Sequence, residues 1–107
     1  MRKGDIVLVP FPFTDLSGQK VRPALALYAG KGEDCIVAFI SSKPRIKQRS
    51  HDVAVLPSRK NGLKYDSFVK LEKIATLQRK TVIGKLGTLE GKLLETVNAK
   101  LRDLFSL

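Results

Sequence analysis

Apolar residues fall in short runs along the first two-thirds of the chain, and polar or turn-forming residues separate these runs. Short runs rich in β-branched and aromatic side chains are typical of strands. The pattern predicts strands at residues 5–11, 21–28, 35–41, 52–57 and 67–71, with a possible sixth at 73–77. Several short strands at close spacing favour a small barrel or a curled sheet.

Turn-forming residues mark the connections between these strands. The sequence predicts turns at residues 14–20, 29–34 and 61–62, where Gly, Asn, Asp and Ser cluster. Pro10 and Pro12 have no amide proton to donate to a sheet, so the first strand must fray or lie at an edge there.

The last segment of the chain has the spacing of a helix. Apolar residues occupy positions 89, 93, 94, 97, 101, 104 and 105, which share one stripe of a helix. Thr88 is the expected N-cap of this helix. We therefore expect a mainly β fold with a C-terminal helix that closes the barrel, in one domain that spans residues 1–107.

Composition adds a strong charge bias to this picture. Twenty Lys and Arg residues oppose ten Asp and Glu residues, for a net charge of +10. A field of this sign attracts polyanions such as nucleic acid, an acidic protein or an anionic membrane. No apolar run approaches the length of a spanning helix. Cys35 is the only cysteine, which fits a packing role and a reducing cytoplasm.

Several kinds of reaction centre have no sequence signature in this chain. There is no Gly-rich phosphate loop, no zinc-ligand spacing and no nucleophile elbow, and we expect neither a metal nor a cofactor. His51 is the only histidine, so one chain cannot supply a histidine acid together with a histidine base.

The remaining candidates are an arginine, two serines and a basic segment. Arg22 begins an apolar strand, and Ser41 and Ser42 end another, so all three lie next to loops. A guanidinium and a hydroxyl can both bind phosphate oxygens. The alternative is that Arg22 is an ordinary rim cation and that the serines only begin a turn.

The basic segment follows the two serines. Lys43, Arg45, Lys47 and Arg49 alternate with other residues, so an extended chain would hold four cations on one side, about 6.6 Å apart. That spacing suits the phosphates of a stretched single strand, although a solvated loop could also carry it by accident. Binding could also use His51 and the aromatic residues at loop edges, which are Phe11, Phe13 and Tyr65.

Five segments together resemble the MazF/PemK toxins of type II toxin–antitoxin modules. They are residues 4–11 (GDIVLVPF), 22–27 (RPALAL), 36–42 (IVAFISS), 66–77 (DSFVKLEKIATL) and 83–86 (IGKL). The first two are the most specific, and the others support them by their order and spacing. The resemblance covers nearly the whole chain.

The resemblance implies a small SH3-like barrel that works as a homodimer. It also implies a metal-independent, sequence-specific endoribonuclease that cleaves single-stranded mRNA, in which a ribose 2′-OH attacks the adjacent phosphate and leaves a cyclic phosphate. The family's arginine before proline falls on Arg22, and its hydroxyl residue falls on Ser41, where many members carry Thr. Ser42 leaves the choice between the two hydroxyls open.

The resemblance also implies a substrate groove and an acidic antitoxin that blocks it. We expect base recognition to depend on loops 12–20 and 42–64, with Thr14 and Lys20 contributing from the first loop. Many members carry a basic residue near Ala75, and Lys73 or Arg79 could replace it. The alternative function is a basic binding module without catalysis, or a gyrase inhibitor like the related CcdB toxins.

Overall fold

Six antiparallel strands form one curled sheet, and a single helix packs on it. The structure is a computed structural model that describes residues 1–11, 20–42 and 47–107. The strands are β1 (Asp5–Phe11), β2 (Lys20–Tyr28), β3 (Asp34–Ser41), β4 (Asp52–Val55), β5 (Ser67–Gln78) and β6 (Gly84–Thr88). A 3-10 helix (Arg79–Thr81) precedes β6, and the helix α1 (Gly91–Phe105) ends the chain. The expectation of a mainly β fold with a small barrel or curled sheet and a C-terminal helix is confirmed, and the curled sheet forms a half-barrel.

The order of the strands across the sheet is β4-β5-β3-β2-β1-β6. β1 lies between β2 and β6, but its pairing with β6 runs only from Asp5 to Leu8. Among the residues that the structure describes, Pro10 therefore has a sheet neighbour only on the β2 side, where it lies opposite Val21. This confirms that the first strand reaches an edge at its proline, because the missing amide proton would otherwise interrupt a ladder.

Three predictions about the elements need correction. β5 is one strand of twelve residues rather than two, and the pairing with β3 shifts between Ala38 and Phe39, which leaves residues 71–73 as a bulge. β4 ends at Val55, short of the predicted 57. The helix begins at Gly91 with Glu90 as its N-cap, and Thr88 belongs to β6 instead.

Both faces of the sheet carry buried apolar side chains. Successive residues of a strand point to opposite faces, so Ile6 enters one cluster and Val7 the other. The first cluster packs against α1, whose only fully buried residue is Val97. The second cluster includes Cys35, which confirms that this cysteine is a packing residue; burial also raises the pKa of its thiol.

Within the part of the chain that the structure describes, no helix is long and apolar enough to cross a membrane.

Candidate functional site

Arg22 lies near the beginning of β2, where the sheet ends. It pairs with Val9 of β1. The pairing of β2 with β3 places Ala24 opposite Phe39. Among the described residues, this pairing stops at Ala24 and Phe39, two residues short of Arg22 and Ser41. Arg22 and Val9 lie at opposite positions of an antiparallel pair, so their side chains share a face.

The backbone around Arg22 is held on both sides. Proline fixes its own φ and restricts the residue before it to extended conformations. Pro23 therefore keeps Arg22 extended, and the pairing of Pro23 with Leu8 ties the segment to β1. Arg22 itself is half-buried. A half-buried guanidinium on a rigid strand loses little freedom when it binds a phosphate, which is the arrangement a preorganised anion site needs.

A pocket of about 330 Å³ opens beside the N-terminal end of β2. We call it the strand-end pocket, and its lining includes Arg22, Ser42, Lys64 and Tyr65. Most of the other lining residues are apolar, and they include Leu63 and Leu86 as well as the two strand neighbours of Arg22, Val21 and Pro23. A pocket that combines apolar walls with a few cationic and hydroxyl groups is typical of small-molecule sites.

The two serines lie at the end of β3. Ser41 continues the face of Phe39 and pairs with Phe68 of β5. Ser42 follows on the opposite face and lines the strand-end pocket together with Arg22. Both serines are half-buried. Ser42 therefore shares the pocket with Arg22, whereas Ser41 is the last residue of β3.

The wall of the pocket between Gly62 and Tyr65 is fixed by Asn61, whose side chain is fully buried. Its Oδ1 accepts hydrogen bonds from the amides of Ser58 (3.0 Å) and Leu63 (3.0 Å). Its Nδ2 donates to the carbonyl of Leu56 at 2.8 Å and to Glu90 at 3.2 Å. Gly62 adopts φ +72°, and its backbone packs so closely on Leu86 that a Cβ would not fit.

Glu90 joins this wall to the beginning of α1. The Ser58 hydroxyl donates to its carboxylate at 2.6 Å, and this bond lowers the pKa of Glu90 despite some burial. Bonds from its own backbone amide and from Asn61, together with the charge of Lys60, act in the same direction. The wall is therefore a hydrogen-bonded unit rather than a free loop.

The described part of the basic segment is fastened at its end. The Arg49 amide donates to Asp52 at 2.8 Å, and His51 Nε2 lies 2.9 Å from Asp103 of α1. Lys100 of α1 donates to the carbonyls of Ser50 and Asp52, both at 3.0 Å. His51, predicted to bind substrate, therefore has a partner on the helix.

The remaining predicted binding residues are spread over the sheet. Lys20 is exposed at the start of β2 and pairs with Phe11, and Lys47 and Arg49 are exposed beyond β3. Lys73 is exposed in the β5 bulge and is not part of the lining of the strand-end pocket. Four of the predicted residues lie outside the described residues: Phe13, Thr14, Lys43 and Arg45.

Two parts of the site are not apparent from the sequence. Lys64 stands out there only as one of many bases, although it lines the same pocket as Arg22. The apolar walls at Leu63 and Leu86 come from segments more than 20 residues apart, and no local pattern joins them. The signal for Tyr65 is its place just after the turn at 61–62. In the described ranges, no group of three or more His, Cys, Asp or Glu residues could hold a metal ion.

Comparison with known proteins agrees with this architecture. The chain matches the family described as PemK-like, MazF-like toxin of type II toxin-antitoxin system over residues 2–105. The search of curated proteins found no match.

Solved structures of similar fold include the Mycobacterium tuberculosis toxin MazF-mt6, at 20% identity and a TM-score of 0.78, with coverage of 96% of this chain and 97% of that one. MazE-MazF from Deinococcus radiodurans matches at 22% identity and a TM-score of 0.77, covering 100% of this chain and 97% of that one. An endoribonuclease in complex with its cognate antitoxin, from a mycobacterial species, matches at 18% identity and a TM-score of 0.75, covering 100% and 94%. With the family match over nearly its whole length, this chain belongs to the PemK-like, MazF-like toxins of type II toxin–antitoxin systems.

Proposed function

We propose that the protein is an endoribonuclease that cleaves single-stranded RNA without a metal ion. The observation that carries this proposal is the position of Arg22, held extended near the beginning of β2, with Ser42 in the lining of the same pocket and Ser41 at the adjoining end of β3. Membership of the toxin family supports it.

Exposed cations around the strand-end pocket suit a polyanionic substrate. Arg59, Lys60 and Lys64 are exposed and flank the turn that forms the pocket wall. Lys47 is exposed in the segment that follows β3. Exposed cations bind phosphates by charge and make the affinity fall as salt rises. We therefore expect RNA binding by this protein to weaken steeply with salt.

In the proposed reaction, the ribose 2′-oxygen attacks the adjacent phosphorus. A bond forms between the 2′-oxygen and phosphorus, the bond from phosphorus to the 5′-oxygen breaks, and the products are a 2′,3′-cyclic phosphate and a free 5′-OH. The 2′-OH proton leaves to a base, and the departing 5′-oxygen gains a proton. DNA lacks the attacking group, so it is not a substrate.

Arg22 acts in this reaction as a fixed cation. An arginine keeps its charge at physiological pH, so its role is to donate hydrogen bonds to the phosphorane oxygens, on which negative charge accumulates. A serine hydroxyl beside it binds the same phosphate or the leaving oxygen. Ser41 and Ser42 are both candidates for this second role.

The test is incubation of the pure protein with single-stranded RNA in EDTA. We expect cleavage and products that end in a cyclic phosphate. Arg22→Ala should lower the rate at least about a hundredfold, because one charged donor to the transition state is lost. Arg102→Ala, at an exposed arginine near the end of α1, is the matched control and should cleave like the wild type. Cleavage only with Mg²⁺, or RNA binding without product, would contradict the proposal.

The proposed partners follow from charge and family. We propose that an acidic antitoxin covers the RNA-binding surface, since a net charge of +10 attracts an acidic peptide as well as RNA. Two of the similar structures are toxins in complex with antitoxins. We also propose a homodimer in the cytoplasm, and sedimentation or light scattering of the purified chain tests the dimer directly.

A further inference from the structure

The basic segment ends in a tight turn at residues 49–52, which we call the β4 turn because β4 begins at its last residue. The Asp52 amide donates to the Arg49 carbonyl at 3.1 Å, and the Arg49 amide donates to the Asp52 carboxylate at 2.8 Å. The backbone of Arg49 is therefore fixed, whereas its side chain is 71% exposed. Its contact with Glu72, at 3.5 Å, is open to solvent and weak, so it competes little with a phosphate. An exposed guanidinium on a fixed backbone is suited to phosphate binding.

Two residues near the end of α1 hold the β4 turn. Lys100 donates to the carbonyls of Ser50 and Asp52, both at 3.0 Å. His51 Nε2 lies 2.9 Å from Asp103 Oδ2, although the Asp103 side chain is 81% exposed. We call these three contacts the helix clamp. Neither helix residue lines the strand-end pocket, so the clamp acts on the position of the turn and not on the pocket itself.

The β4 turn borders the face of the sheet that carries Arg22. Asp52 pairs with Lys70 of β5, which pairs with Phe39 of β3. Phe39 pairs with Ala24 of β2, so one row of side chains crosses the sheet. Arg22 precedes Ala24 by two residues and therefore shares its face. Three steps between strands separate β2 from β4, or about 14 Å, which is about two phosphate spacings of a stretched single strand.

We propose that the helix clamp positions Arg49 to bind a phosphate of the RNA strand that passes Arg22. This inference rests on the proposed function for its ligand, RNA. Lys100 and Asp103 are positioning residues, which act through the β4 turn and do not touch the substrate. His51 then belongs to the clamp rather than to the residues that bind RNA.

The binding test uses single-stranded RNA with 2′-O-methyl groups throughout, because this ligand cannot be cleaved and its affinity is independent of catalysis. Arg49→Gln should weaken binding and lower the slope of log Kd against log salt by about 0.7, the share of one phosphate contact on a single strand. Asp103→Ala should weaken binding by about twofold to fivefold, the range that an exposed pair supports. Loss of an acidic charge by itself would tighten RNA binding, so weaker binding reports lost positioning.

Asp103→Asn is the matched control for charge. It removes the same acid but keeps an oxygen that accepts the His51 hydrogen bond, so it should bind RNA at least as tightly as the wild type. Lys100→Met should weaken binding by about threefold to tenfold, because two carbonyls of the turn lose their donor. Arg102→Met removes the same charge from an exposed neighbour on α1 and should change binding by less than about twofold. Thermal unfolding reports whether each variant is folded.

A double-mutant cycle tests whether the clamp acts through Arg49. In a protein that already carries Arg49→Gln, adding Asp103→Ala should weaken binding no further, because the side chain that it positions is gone. Additive losses would overturn the inference. So would an Asp103→Ala protein that binds RNA as tightly as Asp103→Asn.

Cleavage kinetics separate this inference from the proposed function. On cleavable RNA, Asp103→Ala should raise KM and leave kcat unchanged, because Arg22 keeps its place. A lower kcat with an unchanged KM would refute the positioning role and leave the nuclease intact. Clamp-dependent binding of the methylated RNA, by a protein that cleaves no RNA in EDTA, would instead refute the nuclease and retain the clamp.

Discussion

Asp52 and Lys70 form a buried ion pair between β4 and β5. Replacing each residue alone, and then both together, tests how the end of the basic segment is anchored. Lys70 Nζ lies 2.7 Å from Asp52 Oδ2, and the side chains are only 10% and 1% exposed. The same oxygen accepts the Arg49 amide at 2.8 Å. Lys70 Nζ also lies 5.6 Å from the centre of the Phe68 ring.

Removing one member of this pair leaves the other charge buried without its partner. Such a change typically costs about 3–5 kcal/mol, whereas replacing both members costs far less. We therefore expect Asp52→Asn and Lys70→Met each to lower the free energy of unfolding by about 3 kcal/mol or more. The double variant should lose much less than the sum of the two single losses.

Urea unfolding of the four proteins gives this coupling directly. Arg49→Gln is the matched control, because it breaks an exposed pair in which Arg49 Nε lies 3.5 Å from Glu72. That pair should contribute less than about 1 kcal/mol, since solvent screens it. Additive losses in the Asp52 and Lys70 variants would refute the reasoning, as would a loss at Arg49 as large as theirs.

Three further predictions concern the wall, the acid range and the cysteine. Asn61→Ala should lower the free energy of unfolding by about 2–4 kcal/mol in urea unfolding, because the half-buried amide of Ser58 and the buried amide of Leu63 lose their acceptor. Burial alone would raise the pKa of Asp5. Hydrogen bonds from the Arg2 amide, Lys85 and Thr88, together with the charge of Lys85, outweigh burial and lower the pKa of Asp5 in the folded state. The pKa of Glu90 is lowered as well. A carboxyl group whose pKa is lower in the folded state stabilises the fold above its unfolded pKa, and this stability is lost as the pH falls through the folded pKa. Asp5→Asn and Glu90→Gln should therefore each flatten the fall in stability below about pH 4.5 in acid titrations. Cys35 is buried with a raised pKa, so an aromatic disulfide reagent should label it only after denaturant is added, and rapid labelling of the native protein would contradict this.

The strands are predictable where the apolar pattern is local. The sequence predicts a strand at residues 5–11, and β1 has those bounds, including the edge imposed by Pro10. The polar residues Glu72 and Lys73 interrupt the apolar pattern of β5, so the pattern predicts two strands where there is one. These two residues lie in a bulge that lets the strand continue, and bulges have no simple sequence signature.

The last strand and the helix start depend on contacts between distant segments. β6 contains Gly84 and Gly87, which are poor strand formers, so its sequence does not predict a strand. Gly87 is required because the backbone of Lys60 packs against it and leaves no room for a Cβ. Nearby, Glu90 accepts a hydrogen bond from Asn61, and the helix begins after Glu90 rather than after Thr88.

The candidate site is predictable at its arginine but not in its surroundings. Arg22 before proline is identifiable from the sequence and from the family resemblance. Its pocket joins residues from β1, β2, the wall and β6, and only the folded sheet brings Leu86 beside Lys64. The partnership of His51 with Asp103 joins residues 52 positions apart, so it too is invisible in the sequence.

Arg22 is central to the whole account, and RNA cleavage in EDTA by the wild type, Arg22→Ala and Arg102→Ala tests it most directly. The account predicts cyclic-phosphate products from the wild type and from Arg102→Ala, with at least about a hundredfold less from a folded Arg22→Ala. A folded Arg22→Ala protein that cleaves RNA at the wild-type rate would contradict it.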